Sequence, residues 1–467
     1  MKGARQKFVS AQDVPPHFQI RSGATRHVCE ITAFYCVDCG SNVISNMKIR
    51  GAKTALSFAV GDVSLRNVDI VSSSTALSLP TSASLRLVEC SFVDNKFAIN
   101  AVEVVGAVNI SSCSFERNQN AVLLRNGIQT VDVDDSRFTA NTQAFAVTAS
   151  APRGSAVVFV RRSRFDNEAV ELTAGQNAAL SASVHDCTFN SSVLIINGYR
   201  ESHTSSVAVT DSSFQSSGVR VSISSTLPQS LTMSIAGCSF RRLAYHPTVE
   251  LSASSLRSVT ISGNVFNENR RAPCIKIGMP ASTSGSATPG LISIVGNSFA
   301  NHSGSNVVVV NDNAYHRMHL RRNVFMNPQC EFDVELQSPW KSGYAVNASD
   351  NFWGSANRTY VAGRISDVFM DSKKSKVSII SMYSDPEMTQ IAAFPELRTW
   401  NVTDANLVGG ELDRNVTLTS STAAYFVNKT IYIPKGFQLK LAGNLTLHFA
   451  AMRGIIVEGG LYLPDND

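Results

Sequence analysis

One short unit recurs through most of the chain and restricts the fold more than any other feature. It reads apolar-x-apolar-x-x-(Cys/Ser/Asn)-x-Phe, then a polar stretch, then a second apolar alternation. One copy is Val108-Asn-Ile110-Ser-Ser-Cys113-Ser-Phe115; later copies end at Phe138, Phe214, Phe266 and Phe299. The large apolar anchor falls at Ile49, Ile70, Phe92, Phe115, Phe138, Phe165, Phe189, Phe214, Phe240, Phe266, Phe299, Phe325 and Trp353. Twelve steps cover 304 residues, a mean near 25, and the one 33-residue step holds PASTSGSATPG at 280–290, a loop insertion by composition. Within a unit the apolar period is two, so the segments are strands, about three per unit.

Three strands per unit with columns in register describe a parallel β-helix, each strand pairing with its own copy one coil on, ~4.8 Å away. The expected fold is an all-β, right-handed parallel β-helix, a pectin-lyase-like solenoid of about 13 coils. A sandwich or barrel would not keep one side-chain column through so many copies. The column two residues before the anchor reads Met47, Val68, Cys90, Cys113, Ser136, Ser163, Cys187, Ser212, Cys238, Asn264, Asn297, Asn323 and Asn351. By alternation it points inward, where stacked Asn can hydrogen-bond along the rod and Cys or Ser fill the same small slot. Its cysteines read as buried and inert. Cys90 and Cys113 are one coil apart, so a disulfide is geometrically possible; Cys187 and Cys238 are two coils apart and should not bond.

Charged residues are only 16%, against a usual ~25%, which excludes a long solvated helix or coiled coil. Serine, at 61 residues, fills much of the polar surface, and a net charge of +5 is too dilute for a nucleic-acid footprint. No apolar run is long enough to span a membrane. The start, MKGARQKFVSAQDVPPH, is basic but has no apolar core, so it is no secretory signal. The chain therefore reads either as cytosolic or as an internal piece of a longer secreted or anchored protein.

The ends carry their own signals. Trp353 takes the anchor slot of the last coil and Gly354 allows a sharp exit. Val361, Ile365, Val368 and Phe369 fall at i, i+4, i+7 and i+8, the spacing of a short amphipathic capping helix. A strand is expected over Val377 to Met382, then a turn at Ser384-Asp385-Pro386. The expected organisation is a poorly ordered lead-in at 1–28, the β-helix at 29–354, the capping helix and linker at 355–400, and the first coils of a second β-helix module at 401–467. The alternation stops at Leu463-Pro-Asp-Asn-Asp without a cap, as expected of a fragment.

The run Asn351-Phe-Trp-Gly354, then Arg364-Ile-Ser-Asp367, then Asp385-Pro386, resembles the end of a β-helix module in bark beetle (Anakonda)-type proteins. The segment from Gly409-Gly410-Glu-Leu412 through Gly454-Ile-Ile-Val457-Glu-Gly459 resembles the lead-in of their next module. The resemblance is specific over roughly 346–467; over 40–345 it is generic β-helix pattern. It implies a large single-pass membrane protein with several β-helix modules, placed on the extracellular side of the plasma membrane. The implied role is organising tricellular septate junctions and the epithelial barrier. The implied partners are other ectodomain modules or junction proteins.

Glycosylation acceptors stand at Asn109, Asn190, Asn301, Asn347, Asn357, Asn401, Asn415, Asn428 and Asn444. Six of the nine asparagines from 347 on are acceptors, against three of 24 before, and this clustering points to an extracellular setting.

An enzyme on this scaffold needs carboxylates paired on one face, or an acidic calcium site with a base opposite. The nearest candidates are Asp132, Asp134 and Asp135, and the neighbouring coils offer Ser111, Ser112, Arg161 and Arg162 rather than further carboxylates. His185-Asp186-Cys187 cannot act as a trio, because alternation sends His185 outward and Cys187 inward. Cys29, Cys36 and Cys39 suggest a disulfide rather than a metal site. No cofactor motif occurs. Arg241-Arg242 and Arg270-Arg271 lie on adjacent coils and could form a patch for acidic glycans. The reading is an adhesion scaffold without catalytic residues; a carbohydrate-binding or carbohydrate-active β-helix protein is the alternative.

Overall fold

The computed structural model describes residues 19–21, 32–36 and 41–463, apart from 80–83, 103–105, 126–128, 150–154, 176–177, 200–204, 225–230, 254, 281–289, 394–398, 404–405 and 421–423. Most of the lead-in at 1–28 therefore lies outside the described residues. The chain is an all-β, right-handed parallel β-helix with almost no helix.

One coil shows why the unit folds as it does. Its strands are Ala107–Ser111, Ser114–Glu116 and Asn120–Arg125. Val108, Ile110, Phe115, Val122 and Leu124 point inward and are buried, while Asn109 points outward. Each strand pairs in parallel with its copy one coil on, so Val108 meets Val131, Phe115 meets Phe138 and Val122 meets Phe145. Because a one-residue slip would turn every buried side chain outward, the register is held by the core itself.

Two single-residue bends flank the three-residue strand. Ser112 (φ 53) and Arg117 (φ 51) both take the left-handed conformation. The next coils repeat this at Asp135 and Ala140, Arg162 and Asn167, Asp186 and Ser191, and Asp211 and Ser216. Such a conformation costs a residue with a Cβ roughly 1–2 kcal/mol. The bends keep their backbone groups satisfied: the Ser112 N–H donates to the Asp134 carbonyl at 3.1 Å and the Arg117 N–H to the Thr139 carbonyl at 3.0 Å. Gly237 occupies the same bend position (φ 65), and a Cβ there would lie 2.6 Å from Asp211 Oδ1.

The chain divides into two compact units. The first comprises Met1–Leu243, Thr248–Val259 and Thr283–Thr288. Its anchor rings form one column, with centroids 5.1 Å apart for Phe92–Phe115, 4.7 Å for Phe115–Phe138, 4.8 Å for Phe138–Phe165, 5.0 Å for Phe165–Phe189, 4.6 Å for Phe189–Phe214 and 4.8 Å for Phe214–Phe240. These distances follow the strand spacing of ~4.8 Å. The backbone ladder thus delivers the rings already stacked.

The second unit comprises Ala244–Pro247, Thr260–Ser282 and Pro289–Asp467. Phe266, Phe299, Phe325 and Trp353 stack in the same way, at 4.8, 5.0 and 4.9 Å. Gly354 (φ 76) leaves the column sharply, and a Cβ there would press on the Phe325 carbonyl at 2.9 Å. The capping segment differs from the helix expected over 361–369. The helix is only Arg358–Gly363, N-capped by Asn357, and Ile365 belongs to a two-residue strand, Ile365–Ser366, in which Ile365 pairs with Val334. All four expected apolar residues are buried: Val361 on the helix, Ile365 on the closing strand, and Val368 and Phe369 in the turn that follows, where they cluster with Tyr432. Likewise the strand expected over Val377 to Met382 is two, Lys376–Ser378 and Ser381–Tyr383. The Asp385 carboxylate accepts the Thr389 and Gln390 N–H groups, both at 2.9 Å, and forms the expected turn.

Beyond residue 400, coils resume within the second unit. Leu407–Glu411 pairs in parallel with Tyr425–Ile433, which pairs in parallel with Leu447–Phe449 and Ile455–Val457. Val416–Leu418, Gln438–Leu441 and Gly460–Tyr462 form a second parallel sheet. Val408, Leu418, Val427, Ile431 and Leu439 build their core.

Candidate functional site

From Ser72 to Ser216, nearly every left-handed bend of the first unit is followed by an inward Ser, Asn, Cys or Glu whose N–H runs along the helix axis, toward the next coil. The first column answers these donors with side chains. In the first unit the Cys90 N–H donates to Cys113 Sγ at 3.4 Å, Cys113 to Ser136 Oγ at 3.1 Å, Ser136 to Ser163 Oγ at 3.1 Å, and Cys187 to Ser212 Oγ at 3.1 Å. In the second unit Asn264, Asn297, Asn323 and Asn351 do the same with amides: the Oδ1 of Asn297, Asn323 and Asn351 each accepts both the N–H and the Nδ2 of the Asn before it, at 2.9–3.0 Å. A buried N–H left without such a partner would cost about 1–3 kcal/mol, so these positions are structural necessities.

A second column, three residues after the anchor, was not anticipated. The Ser73 N–H donates to Asn95 Oδ1 at 2.9 Å, Asn95 to Asn118 Oδ1 at 2.9 Å, Asn118 to Asn141 Oδ1 at 2.8 Å, Asn141 to Glu168 Oε1 at 2.9 Å and Glu168 to Ser192 Oγ at 3.1 Å. In the second unit the N–H of His302, three residues after Phe299, donates at 3.1 Å to Oδ1 of Asn327, two residues after Phe325. The signal was present as Phe-x-x-Asn, repeated at 92–95, 115–118 and 138–141.

The outward candidates are occupied in the first unit. Register stacks Asn109, Asp132 and Phe159 in one outward column, and Ser111, Asp134, Arg161 and His185 in the next. The Arg161 guanidinium donates to both Asp132 oxygens, at 2.9 and 2.7 Å; Arg162 pairs with Asp134; and Ser112 Oγ donates to Asp135 Oδ2 at 3.2 Å. His185 Nδ1 lies 2.9 Å from Thr210 Oγ1 and 3.4 Å from Asp211 Oδ2. Cys187 lies inside, where its Sγ donates to the Val160 and His185 carbonyls, and burial pushes the thiol up to about 12. It carries no thiolate for nucleophilic chemistry near neutral pH.

Residues 32–189 match the family model described as a right handed beta helix region. No curated protein and no solved structure matches the chain. The beta-helix region occurs in pectate-lyase-like enzymes and in non-enzymes, so the chemistry rests on the residues themselves. The matched span holds Asp132, Asp134, Arg161, Arg162 and His185, the group just described.

The remaining candidates are scattered over both units. Cys90, Cys113, Cys187, Cys238, Cys274 and Cys330 are buried thiols in no disulfide; the side chains of Cys29, Cys36 and Cys39 lie outside the described residues. Asn109, Asn301, Asn357, Asn401, Asn415, Asn428 and Asn444 are exposed, and Asn190 and Asn347 are half-buried. Arg241 and Arg242 belong to the first unit, Arg270 and Arg271 to the second. In the second unit the Arg271 guanidinium sits over the Tyr245 ring, 5.2 Å from its centroid. Among the described residues no group of three or more His, Cys, Asp or Glu could hold a metal ion, and no helix is long and apolar enough to cross a membrane.

Proposed function

We propose that the chain is an extracellular structural and adhesion scaffold. Its stiff coils hold other ectodomain modules or junction proteins at set spacing, on the outer side of the plasma membrane. The observation that carries this reading is the pairing of the outward carboxylates. Asp132 and Asp134 are each held by an arginine, so neither is poised as a free base opposite an acid. Interior polar groups hold coil to coil through the two ladders rather than opening into a cleft. The resemblance of 346–467 to bark beetle-type modules extends the proposal to cell junctions and the epithelial barrier.

A screen against polysaccharides for lyase and hydrolase turnover tests it, together with binding to a glycan array. The scaffold predicts no turnover. Turnover that falls in Asp134→Ala would contradict it and favour an enzyme. A second reading, glycan binding without turnover, has one specific observation behind it. Tyr245 is 71% exposed and already stacked by Arg271, whose exposed chain neighbour is Arg270. An exposed ring beside guanidinium groups suits an anionic saccharide. Array binding to anionic glycans that drops at least tenfold in Arg270→Ala with Arg271→Ala would support that reading.

A further inference from the structure

The second ladder of the first unit contains one residue that does not fit its chemistry as a charged group. At Asn95, Asn118, Asn141 and Ser192 the side chain both accepts from the coil before it and donates backward. Asn95 Nδ2 donates to the Ile70 carbonyl at 3.1 Å, Asn118 Nδ2 to Phe92 at 3.0 Å and Asn141 Nδ2 to Phe115 at 3.0 Å. One rung beyond the exception, Ser192 Oγ donates to the Phe165 carbonyl at 3.0 Å. The rule at these four rungs is that each gives one proton to the carbonyl of the anchor one coil back; Ser73 Oγ, at the start of the ladder, has no partner.

The rung between Asn141 and Ser192 is Glu168, 5% exposed. Its Oε1 accepts from the Asn141 N–H at 2.9 Å and from Asn141 Nδ2 at 2.6 Å. Its Oε2 is buried and has no partner. The carbonyl that the rule assigns to this rung is that of Phe138. A carboxylate has no proton to give it; a carboxylic acid has one.

We propose that Glu168 is held as a neutral carboxylic acid whose Oε2–H serves the Phe138 carbonyl, and that its ionisation makes this coil a pH-responsive point in the first unit. The charges around it favour the neutral form. Asp166, in the same coil, takes the nearby cations: Arg164 at 2.8 Å and Arg137 at 4.0 Å, with Asn190 Nδ2 at 2.7 Å. Across the neighbouring coils Glu168 faces Asn141 and Ser192, which are neutral. Glu171, on the following strand, is engaged with Gln143 at 3.5 Å and Asn197 at 3.2 Å. Among the described residues no cation pairs with Glu168.

The direction of the pH effect follows. Burial pushes the Glu168 carboxyl from 4.5 up to about 7; the Asn141 donors oppose the shift and the Asp166 charge adds to it. Between those two values the folded chain holds the proton more tightly than the unfolded chain does. Stability from this group is therefore full below about 4.5 and is lost as pH rises through about 7.

The test compares wild type with Glu168→Gln, whose amide keeps the acceptor and supplies a fixed donor. The wild-type thermal midpoint is expected to fall as pH rises through about 7, while the variant stays level over the same range and matches the wild type in acid. An equal slope in both proteins would overturn the proposal. Infrared titration of the wild type gives a second readout that does not depend on the variant folding. A buried protonated carboxyl band that disappears with a midpoint near 7 is expected. Complete ionisation of every carboxyl by about pH 5.5, above the ordinary carboxylate range, would overturn the proposal.

Discussion

Phe189→Ala is expected to destabilise the chain by about 3–5 kcal/mol. Phe189 is fully buried, and its ring stacks on Phe165 at 5.0 Å and on Phe214 at 4.6 Å. Removing it leaves a gap in a column whose backbone cannot close up. The Thr188–Asn190 strand is hydrogen-bonded to a copy on either side, so the coils keep their spacing and the cavity stays. Two stacked contacts are lost as well, each worth about 0.5–1.5 kcal/mol beyond simple burial. Phe159→Ala is the matched control: the same side chain, pointing outward and 38% exposed. It should change stability far less, within roughly 1 kcal/mol. Urea unfolding followed by circular dichroism measures both, and equal losses would show that the column is not what carries the first unit.

Arg364→Ala should cost about 3–5 kcal/mol, since it strands a buried charge. Arg364 is 6% exposed and Asp333 1%. The guanidinium donates to both Asp333 oxygens at 2.9 Å, to the Asn327 carbonyl at 2.6 Å, and to the Cys330 carbonyl. One side chain thus ties the loop after the Phe325 strand to the closing strand Ile365–Ser366. Its removal also leaves two carbonyls without their donor. Arg364→Met combined with Asp333→Leu removes both charges and should lose clearly less than the single change. The same unfolding measurement decides this; a double variant as unstable as Arg364→Ala would place the cost in the lost carbonyl contacts instead of the charge.

Much of this fold was legible because one residue type marks time. Phe at a near-constant step gave the coil period, and alternation around it gave the inward side of each strand. The bends were not legible. Left-handed residues usually announce themselves as glycine, but here Asp, Ser and Arg adopt that conformation because their N–H groups bond to the next coil. The second ladder was missed for a related reason: Asn95, Asn118 and Asn141 read as polar loop residues until the bend turned them inward. Val361, Ile365, Val368 and Phe369 misled for a different reason. Their spacing fits one helix, yet a short helix, a two-residue strand and the turn after it bury the same four side chains. Arg364 gave no sign of burial, because its partner Asp333 lies on the previous coil and no local spacing links them.

On the outward face the sequence showed which residue types were near one another but not which were paired. Arg161 stands 29 residues after Asp132, and only coil stacking makes them partners. That pairing is what the proposed scaffold rests on, and the turnover screen tests it. The extracellular setting proposed above rests on the glycosylation acceptors clustered from Asn347 on. Mass spectrometry of the protein isolated by surface labelling of intact epithelial cells tests it most directly. The account predicts surface-labelled material, enriched at cell contacts, with glycans at the exposed Asn401, Asn415 and Asn428. Protein shielded from the label, with all three asparagines bare, would contradict it.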